Sequence, residues 1–482
     1  MSPAGKTEAI SAENAWQAIR SLALLMRDGL TSEELAAFNR NVEPQDSFGG
    51  FERSASIPDK PGSRTFELKS NQGVQITVKE NFHPSLPEDV TDRYFKLFAA
   101  NGRLLFEAAS VLYFAKPNYP KVVKSYTYTY YDNGCLREER ENMGYYSLVN
   151  EKSDWENYSR GFDANFSRPP LVQKYFERHN HLPDRFKVEG RKIPVAVWDS
   201  GVDYQNLDIL PYLDMPRAWD FIRDDACPYD VVSLGSQFRG LDSHGTAVTG
   251  AMIAVGLANT VSIVPLRTEL ANLVYKKDYS SFPELTKARD AGARIINLSS
   301  ISPNRTPEWL SLVAANPDFL FVQGAGNDGK AFQDVRLCGD ESPFSGSLLP
   351  CDEMVSLPAF DQKDFPNLIT VAAMDRLEKG LAQFSTYGFR EVTTAAPGED
   401  ILVPMKGGGV ERASGTSLAA PYIAGVSANI LAINPNLTPT QVKEIIVRST
   451  RAIPALEDKV ATGGAVDPIR AYTLAMASLH HK

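Results

Sequence analysis

Residues 193–203, Ile-Pro-Val-Ala-Val-Trp-Asp-Ser-Gly-Val-Asp, decide the fold. Six residues, mostly apolar and partly β-branched, run without polar alternation, the pattern of a strand covered on both faces. An aspartate, Asp199, follows at once, and Gly201 allows a sharp turn that leaves the carboxylate at the strand's mouth. Three more runs read the same way: Ala293–Leu298, Phe319–Val322 and Leu368–Ala373. Helical candidates near 244–256, 282–291, 307–315 and 417–432 lie among them. Short buried strands alternating with helices predict an α/β layered fold with a largely parallel central sheet flanked by helices. In such open sheets ligands bind outside the carboxyl ends of the strands, where Asp199 is placed.

Three further residues fall at comparable positions. His244, in Asp242-Ser-His-Gly-Thr-Ala-Val-Thr-Gly250, opens a helix of small residues. The other histidines, at 83, 179, 181, 480 and 481, stand in polar or terminal surroundings. An imidazole held by a buried carboxylate keeps one tautomer and serves as a general base; a histidine at a helix start is otherwise commonly structural. Ser417, in Ser414-Gly-Thr-Ser-Leu-Ala-Ala-Pro-Tyr422, stands where a Gly-Thr turn enters a long helix. Its hydroxyl and amide face the positive end of the helix dipole; the bland alternative is a capping serine. Pro421 is expected to be tolerated as a first-turn residue. Asn327 ends Gln323-Gly-Ala-Gly-Asn327 at a third strand mouth, either as a turn residue or as a side-chain donor to a developing oxyanion.

Taken in chain order, these segments resemble the subtilase superfamily, the subtilisin-like or S8 peptidases. Val195–Asp203 is similar to that family's Asp motif and His244–Gly250 to its His motif. Ala325-Gly-Asn327 resembles the oxyanion segment, and Gly415-Thr-Ser-Leu-Ala-Ala-Pro421 the Ser motif. Ala218–Asp225, Asn297-Leu-Ser299, Ile369–Ala373, Gln383–Gly388 and Ala396-Pro-Gly398 extend the likeness over roughly residues 190–455. The resemblance implies a serine endopeptidase with the triad Asp199, His244 and Ser417, and Asn327 in the oxyanion hole. It also implies a substrate-binding wall at Ser299, Ser300, Gly324, Ala325 and Gly326. No cofactor is needed for that chemistry. Many relatives bind calcium, but no ligand cluster here is specific enough to assign, so no metal residue is named. The catalytically silent counterpart, a subtilase-fold binding protein, is the alternative; such chains typically lose a triad residue, and none is lost here.

The sequence also departs from the pattern. Ser299-Ser-Ile-Ser-Pro303 carries Ile301 where the family usually has glycine, and Gln323-Gly324 replaces small apolar residues. The preference at the residue before the cut is therefore not legible. Leu418 stands for the commoner methionine, a near-isosteric change.

The first third of the chain has another grammar. Residues 12–28 carry apolar positions at helical spacing, and Thr65–Lys69 and Val74–Lys79 alternate as half-buried strands. The pattern NGxLxxE occurs at 101 and 133, and Asn-Gly takes the positive φ values of tight hairpin turns, so each copy predicts a hairpin in one antiparallel sheet. Residues 1–160 are accordingly read as a strand-rich α+β region, either an intramolecular propeptide or an accessory domain, and 161–482 as the peptidase domain. The polar stretch Glu151–Arg168 reads as a linker.

Composition narrows the partners. With 50 basic and 59 acidic residues the formal net charge is −9, and no basic run tracks a phosphate backbone, so nucleic acid is not an expected partner; the resemblance implies a protein or peptide substrate. No apolar run is expected to reach the roughly 18 residues of a membrane span. Leu22–Met26 is too short for a signal-peptide core, so the chain starts in the cytoplasm if Met1 is authentic and is exported if a signal was removed. The four cysteines, at 135, 227, 338 and 351, show no zinc spacing. In an oxidising compartment Cys338 and Cys351 would close a Gly/Ser/Pro-rich loop; in the cytosol they would stay thiols.

Overall fold

A computed structural model describes residues 192–479, apart from 207, 231–242, 255–259, 269–281, 300–306, 335, 339–353, 357–359 and 407–408. It also describes residue 186, residue 102 and a set of strands between 47 and 156. The chain forms two compact units that meet in sequence between Gly161 and Phe162.

In the first unit, ten strands make one sheet. Ser63–Ser70, Gln75–His83, Leu86–Phe98, Leu104–Tyr113, Lys121–Tyr130 and Leu136–Tyr146 pair antiparallel, each with the next. Both Asn-Gly dipeptides fall between paired strands, and Gly102 has φ +81°, as the hairpin reading requires. The expected helix over 12–28 lies outside the described residues.

The second unit is built on a nine-stranded sheet. Its strands are β1 (Ile193–Asp199), β2 (Trp219–Asp220), β3 (Val261–Arg267), β4 (Ile295–Leu298), β5 (Leu320–Gly324), β6 (Leu368–Met374) and β7 (Thr394–Pro397). A hairpin, β8 (Ile401–Pro404) and β9 (Val410–Ala413), stands apart from the sheet. The last two sheet strands are β10 (Thr450–Ala452) and β11 (Gly464–Val466). The spatial order is β2-β3-β1-β4-β5-β6-β7-β11-β10, and only the β10–β11 pair is antiparallel. The helices are α1 (His244–Ile253), α2 (Pro283–Asp290), α3 (Pro307–Ala315), α4 (Thr416–Ile433), α5 (Pro439–Arg448) and α6 (Pro468–Ala477).

Alternate residues of β1 explain its unbroken apolar run. Val195 and Val197 join a core with α1, α4, α5 and α6 on one face of the sheet. Ala196 and Trp198 join a second core with α2 and α3 on the other. Both faces are covered, so no position is left for a polar side chain. Trp198 is fully buried and stacks on Phe282 at 5.6 Å between ring centroids.

Strand β3 is absent from the sequence reading because Pro265 argues against a sheet interior. Its outer neighbour β2 pairs only at Leu266 and Arg267, so no ladder partner is asked of Pro265 on that side. Helix α4 also differs from expectation. It has 18 residues with a mean hydropathy of 1.4, enough by length and composition for a membrane span, yet 94% of it is buried inside the unit. Its apolar surface is already consumed by the core. Cys227 is disulfide-bonded; the Cys338–Cys351 closure lies outside the described side chains.

Candidate active site

The sheet's order reverses at β1, which lies between β3 and β4, and Asp199 ends that strand. Asp199, the last residue of β1, is 1% exposed. Its Oδ1 lies 2.7 Å from His244 Nδ1 and accepts from the Ser200 amide at 2.8 Å. Two glycines allow this approach. Gly201 turns at φ +112°, and a Cβ there would meet the Tyr229 carbonyl oxygen at 2.6 Å. A Cβ on Gly245 would strike the Gly201 carbonyl oxygen.

His244 is the first residue of α1, after Ser243 in the left-handed conformation at φ 73°. Ser243 Oγ is held by the Lys406 amide at 2.9 Å, which anchors this uncommon turn to the segment after β8. Burial opposes charge on the imidazole, but the Asp199 carboxylate and its hydrogen bond, with Asp230 adding to them, raise the pKa above its ordinary value.

Asp230 is a residue that the sequence reading passed over. It is 1% exposed, and burial pushes its pKa up against the pull of Lys406, Thr246 and Ser200. Its Oδ1 accepts from Ser200 Oγ at 2.7 Å, while Oδ2 accepts from the Thr246 amide at 2.9 Å and from Thr246 Oγ1 at 2.6 Å. Ser200 Oγ in turn accepts from the Gly245 amide at 3.0 Å. One buried carboxylate thus ties the turn after Asp199 to the first turn of the histidine helix. On the other flank, Arg267 Nε donates to the Ser200 carbonyl at 3.0 Å and Nη1 pairs with Asp220 at 2.7 Å, both side chains buried. No short motif announces Asp230. Its neighbours Pro228 and Tyr229 read as loop, and only the fold brings it under α1.

Ser417 lies in the first turn of α4 and is 7% exposed. First-turn amides have no intrahelical acceptor, so the Ser417 N–H points out of the helix end. Asn327 follows β5. Its Oδ1 accepts from the Thr416 amide at 2.9 Å and from Thr416 Oγ1 at 3.0 Å. With the carbonyl end fixed, the NH₂ end is turned the other way. A Cβ built on Gly415 would lie 2.8 Å from Ser417 Oγ and 3.6 Å from Asn327 Nδ2. The hydroxyl and the amide donor therefore border one small space, which the missing Gly415 side chain leaves open. Thr416 escaped the sequence reading because a threonine beside a glycine looks like turn chemistry.

The residues expected to form a substrate wall are used internally as well. Ser299 is 1% exposed; its Oγ donates to the Ser417 carbonyl at 2.8 Å and accepts from Asn297 Nδ2 at 3.0 Å. Gly324 lets the end of β5 approach Thr416, whose Oγ1 a Cβ would meet at 3.0 Å. The Ala325 amide donates to Val371 and the Gly326 amide to Thr416 Oγ1. Ser300 and Ile301 lie outside the described residues. Gln323 faces away from these groups, with Trp309 Nε1 donating to its Oε1 at 3.1 Å and its Nε2 donating to Thr370.

Pro421 corrects the sequence reading. It is not in the first turn, because α4 already begins at Thr416. At its actual position a helix pairs the N–H with the carbonyl four residues earlier, that of Ser417, and proline has none to give.

Residues 190–467 match the model of the Subtilase family, Peptidase S8. The chain belongs to the subtilase family. It is 26% identical over 308 residues to a subtilisin-like protease 1 of Plasmodium vivax, covering 59% of this chain and 48% of that one. A thermophilic serine proteinase of Bacillus sp. (strain AK1) is 30% identical over 239 residues, 48% of this chain and 51% of that one. The chain thus spans about half the length of these curated relatives. Among solved structures, a cold adapted subtilisin-like serine proteinase aligns with a TM-score of 0.41 at 20% identity, over 57% of this subtilase and 90% of that chain. Among this subtilase's described residues, no group of three or more His, Cys, Asp or Glu is placed to hold a metal ion.

Proposed function

We propose that this chain is a serine endopeptidase whose nucleophile is Ser417, general base His244, orienting carboxylate Asp199 and oxyanion donor Asn327. The observation that carries this reading is the shared space beside Gly415, bordered by Ser417 Oγ and the Asn327 NH₂. It is supported by the 2.7 Å contact between His244 and Asp199. In the neutral ring, Nδ1–H donates to Asp199, which leaves the lone pair on Nε2 as the base. Helices α1 and α4 are neighbours through Ala247, Ala251 and Leu418, which supports placing the base beside the element that carries the serine.

Ser417 Oγ attacks the scissile carbonyl as His244 takes its proton, and an acyl-enzyme forms when the protonated imidazole returns that proton to the leaving amine. Water, deprotonated by the same ring, then releases the acid. Negative charge on the carbonyl oxygen falls to the Asn327 NH₂ and the Ser417 amide. The buried Asp199 carboxylate stabilises the imidazolium, consistent with the raised pKa of His244. The substrate backbone runs along the ends of β4 and β5, past Ser299, Ser300 and Gly324–Gly326.

A fluorophosphonate probe and a casein digest test the assignment. The wild type labels and hydrolyses, and Ser417→Ala does neither, a loss of about 10⁶ in kcat by analogy with subtilisin, the family's own worked case. A wild type that does not label marks a silent fold. Labelling of Ser417→Ala at the wild-type rate removes Ser417 as nucleophile.

A further inference from the structure

The nucleophile's helix carries a defect at the place where precision matters most. Pro421 deprives the Ser417 carbonyl of its helical N–H partner, and a carbonyl buried beside a reactive side chain is costly to leave without one. At that carbonyl the structure has the hydroxyl of Ser299, at 2.8 Å, from just beyond β4. The direction of the bond is fixed from behind. Asn297, fully buried on β4, donates its Nδ2 to Ser299 Oγ at 3.0 Å, so the hydroxyl's own hydrogen is the one given to Ser417.

We propose that Ser299 is a positioning residue for the nucleophile, its hydroxyl standing in for the peptide N–H that Pro421 lacks. This rests on Ser417 being the nucleophile. Ser299 sits at the end of β4, and its bond crosses from the sheet to the helix. The first turn of α4 is therefore referenced to the strand end along which substrate runs, rather than to its own following turn. A helix that closed its own ladder would hold Ser417 relative to α4; this one holds Ser417 relative to the sheet. Ser299 then acts through the serine's placement, so its loss falls on kcat, whereas a substrate contact would fall on KM.

The test is a cycle on the full chain. Ser299→Thr keeps a hydroxyl, Ser299→Val is the near-isostere without one, and Pro421→Ala restores a helical N–H. With a peptide substrate and rates expressed per folded, fluorophosphonate-titrated site, Ser299→Thr stays within about twofold of wild type. Ser299→Val loses roughly five- to tenfold in kcat with little change in KM, the scale of one net hydrogen bond. In the Pro421→Ala background the same Val substitution loses about twofold or less. An equal loss in both backgrounds, no loss at all, or a loss confined to KM overturns the proposal. A Ser299→Val protein that folds only in the Pro421→Ala background supports it, and one that folds in neither overturns it. Unchanged labelling of Ser417→Ala would instead remove the nucleophile on which the proposal rests, a failure visible before the cycle is begun.

Discussion

The two sheets of this chain are built on opposite principles of connection. In the first unit each long strand pairs with the next in sequence, and the turn that joins them also sets the register. In the second, β1 is paired with β3 and β4, and its partners are reached only through crossovers. A meander forms from local contacts, whereas a crossed parallel sheet must close long loops first. What the second unit gains is convergence. Residues from four separated segments are brought into two pairs, Asp199 with His244 and Asn327 with the turn that carries Ser417. A meander keeps neighbours in sequence as neighbours in space.

On the proposed function the chemistry belongs to the second sheet only, and that contrast can be broken. Asn327→Leu should lower kcat by about 10²–10³ with KM little changed, read by steady-state kinetics; the figure comes from subtilisin, a member of this family. A variant that keeps full activity would leave the oxyanion to other donors. A second measurement asks whether the meander is dispensable. If residues 1–160 are a propeptide, mass spectrometry after incubation should show wild type cut within Glu151–Arg168, about a third lighter, beside an intact Ser417→Ala. An intact and active wild type would make the first sheet a permanent domain.

Smaller effects sharpen the contrast. Activity should appear as His244 loses its proton, so the acid limb of kcat/KM should lie above the ordinary imidazole value of about 6.5. Asp230→Asn removes one of the charges that favour the imidazolium, so the limb should move to lower pH, by less than about one unit. A limb that stays put would make Asp230 a purely mechanical tie. The mildest change belongs to the other sheet. Gly102→Ala meets no neighbouring atom but must adopt φ +81°, and should cost the first unit about 1 kcal/mol in urea unfolding while leaving kcat untouched.

Much of this was legible in the sequence for a physical reason. Strands buried on both faces are unbroken apolar runs, so the residue that ends each run is visible, and Asp199 and Asn327 stand out there. Hairpins with Asn-Gly turns declare themselves because few other dipeptides accept those angles. The rest was hidden where a residue's partner lies on another element. Asp230 earns its place only under Ser200 and Thr246. Ser299 entered the substrate wall only through the family resemblance, and no pattern in the sequence shows that its hydroxyl is turned to α4. Pro421 was misjudged because, even counted from the expected start at Ser417, it is the fifth helical residue, past the first-turn amides that lack an acceptor, so it orphans a carbonyl.

The meeting of Gly201 and Gly245 has a mechanical consequence. Where two elements are spaced by side chains, rotamers and methylene packing give the gap some compliance. Here backbone rests against backbone, and there is nothing between the turn and the helix to compress or rearrange. The contact works as a hard stop: it fixes the closest distance of the Asp199 and His244 main chains whatever the surrounding loops do. Repair by neighbouring substitutions is then unavailable. A methyl group at Gly245 has no cavity to turn into, so it must push the carboxylate and the imidazole apart, and tolerance at this point should change in a single step rather than by degrees.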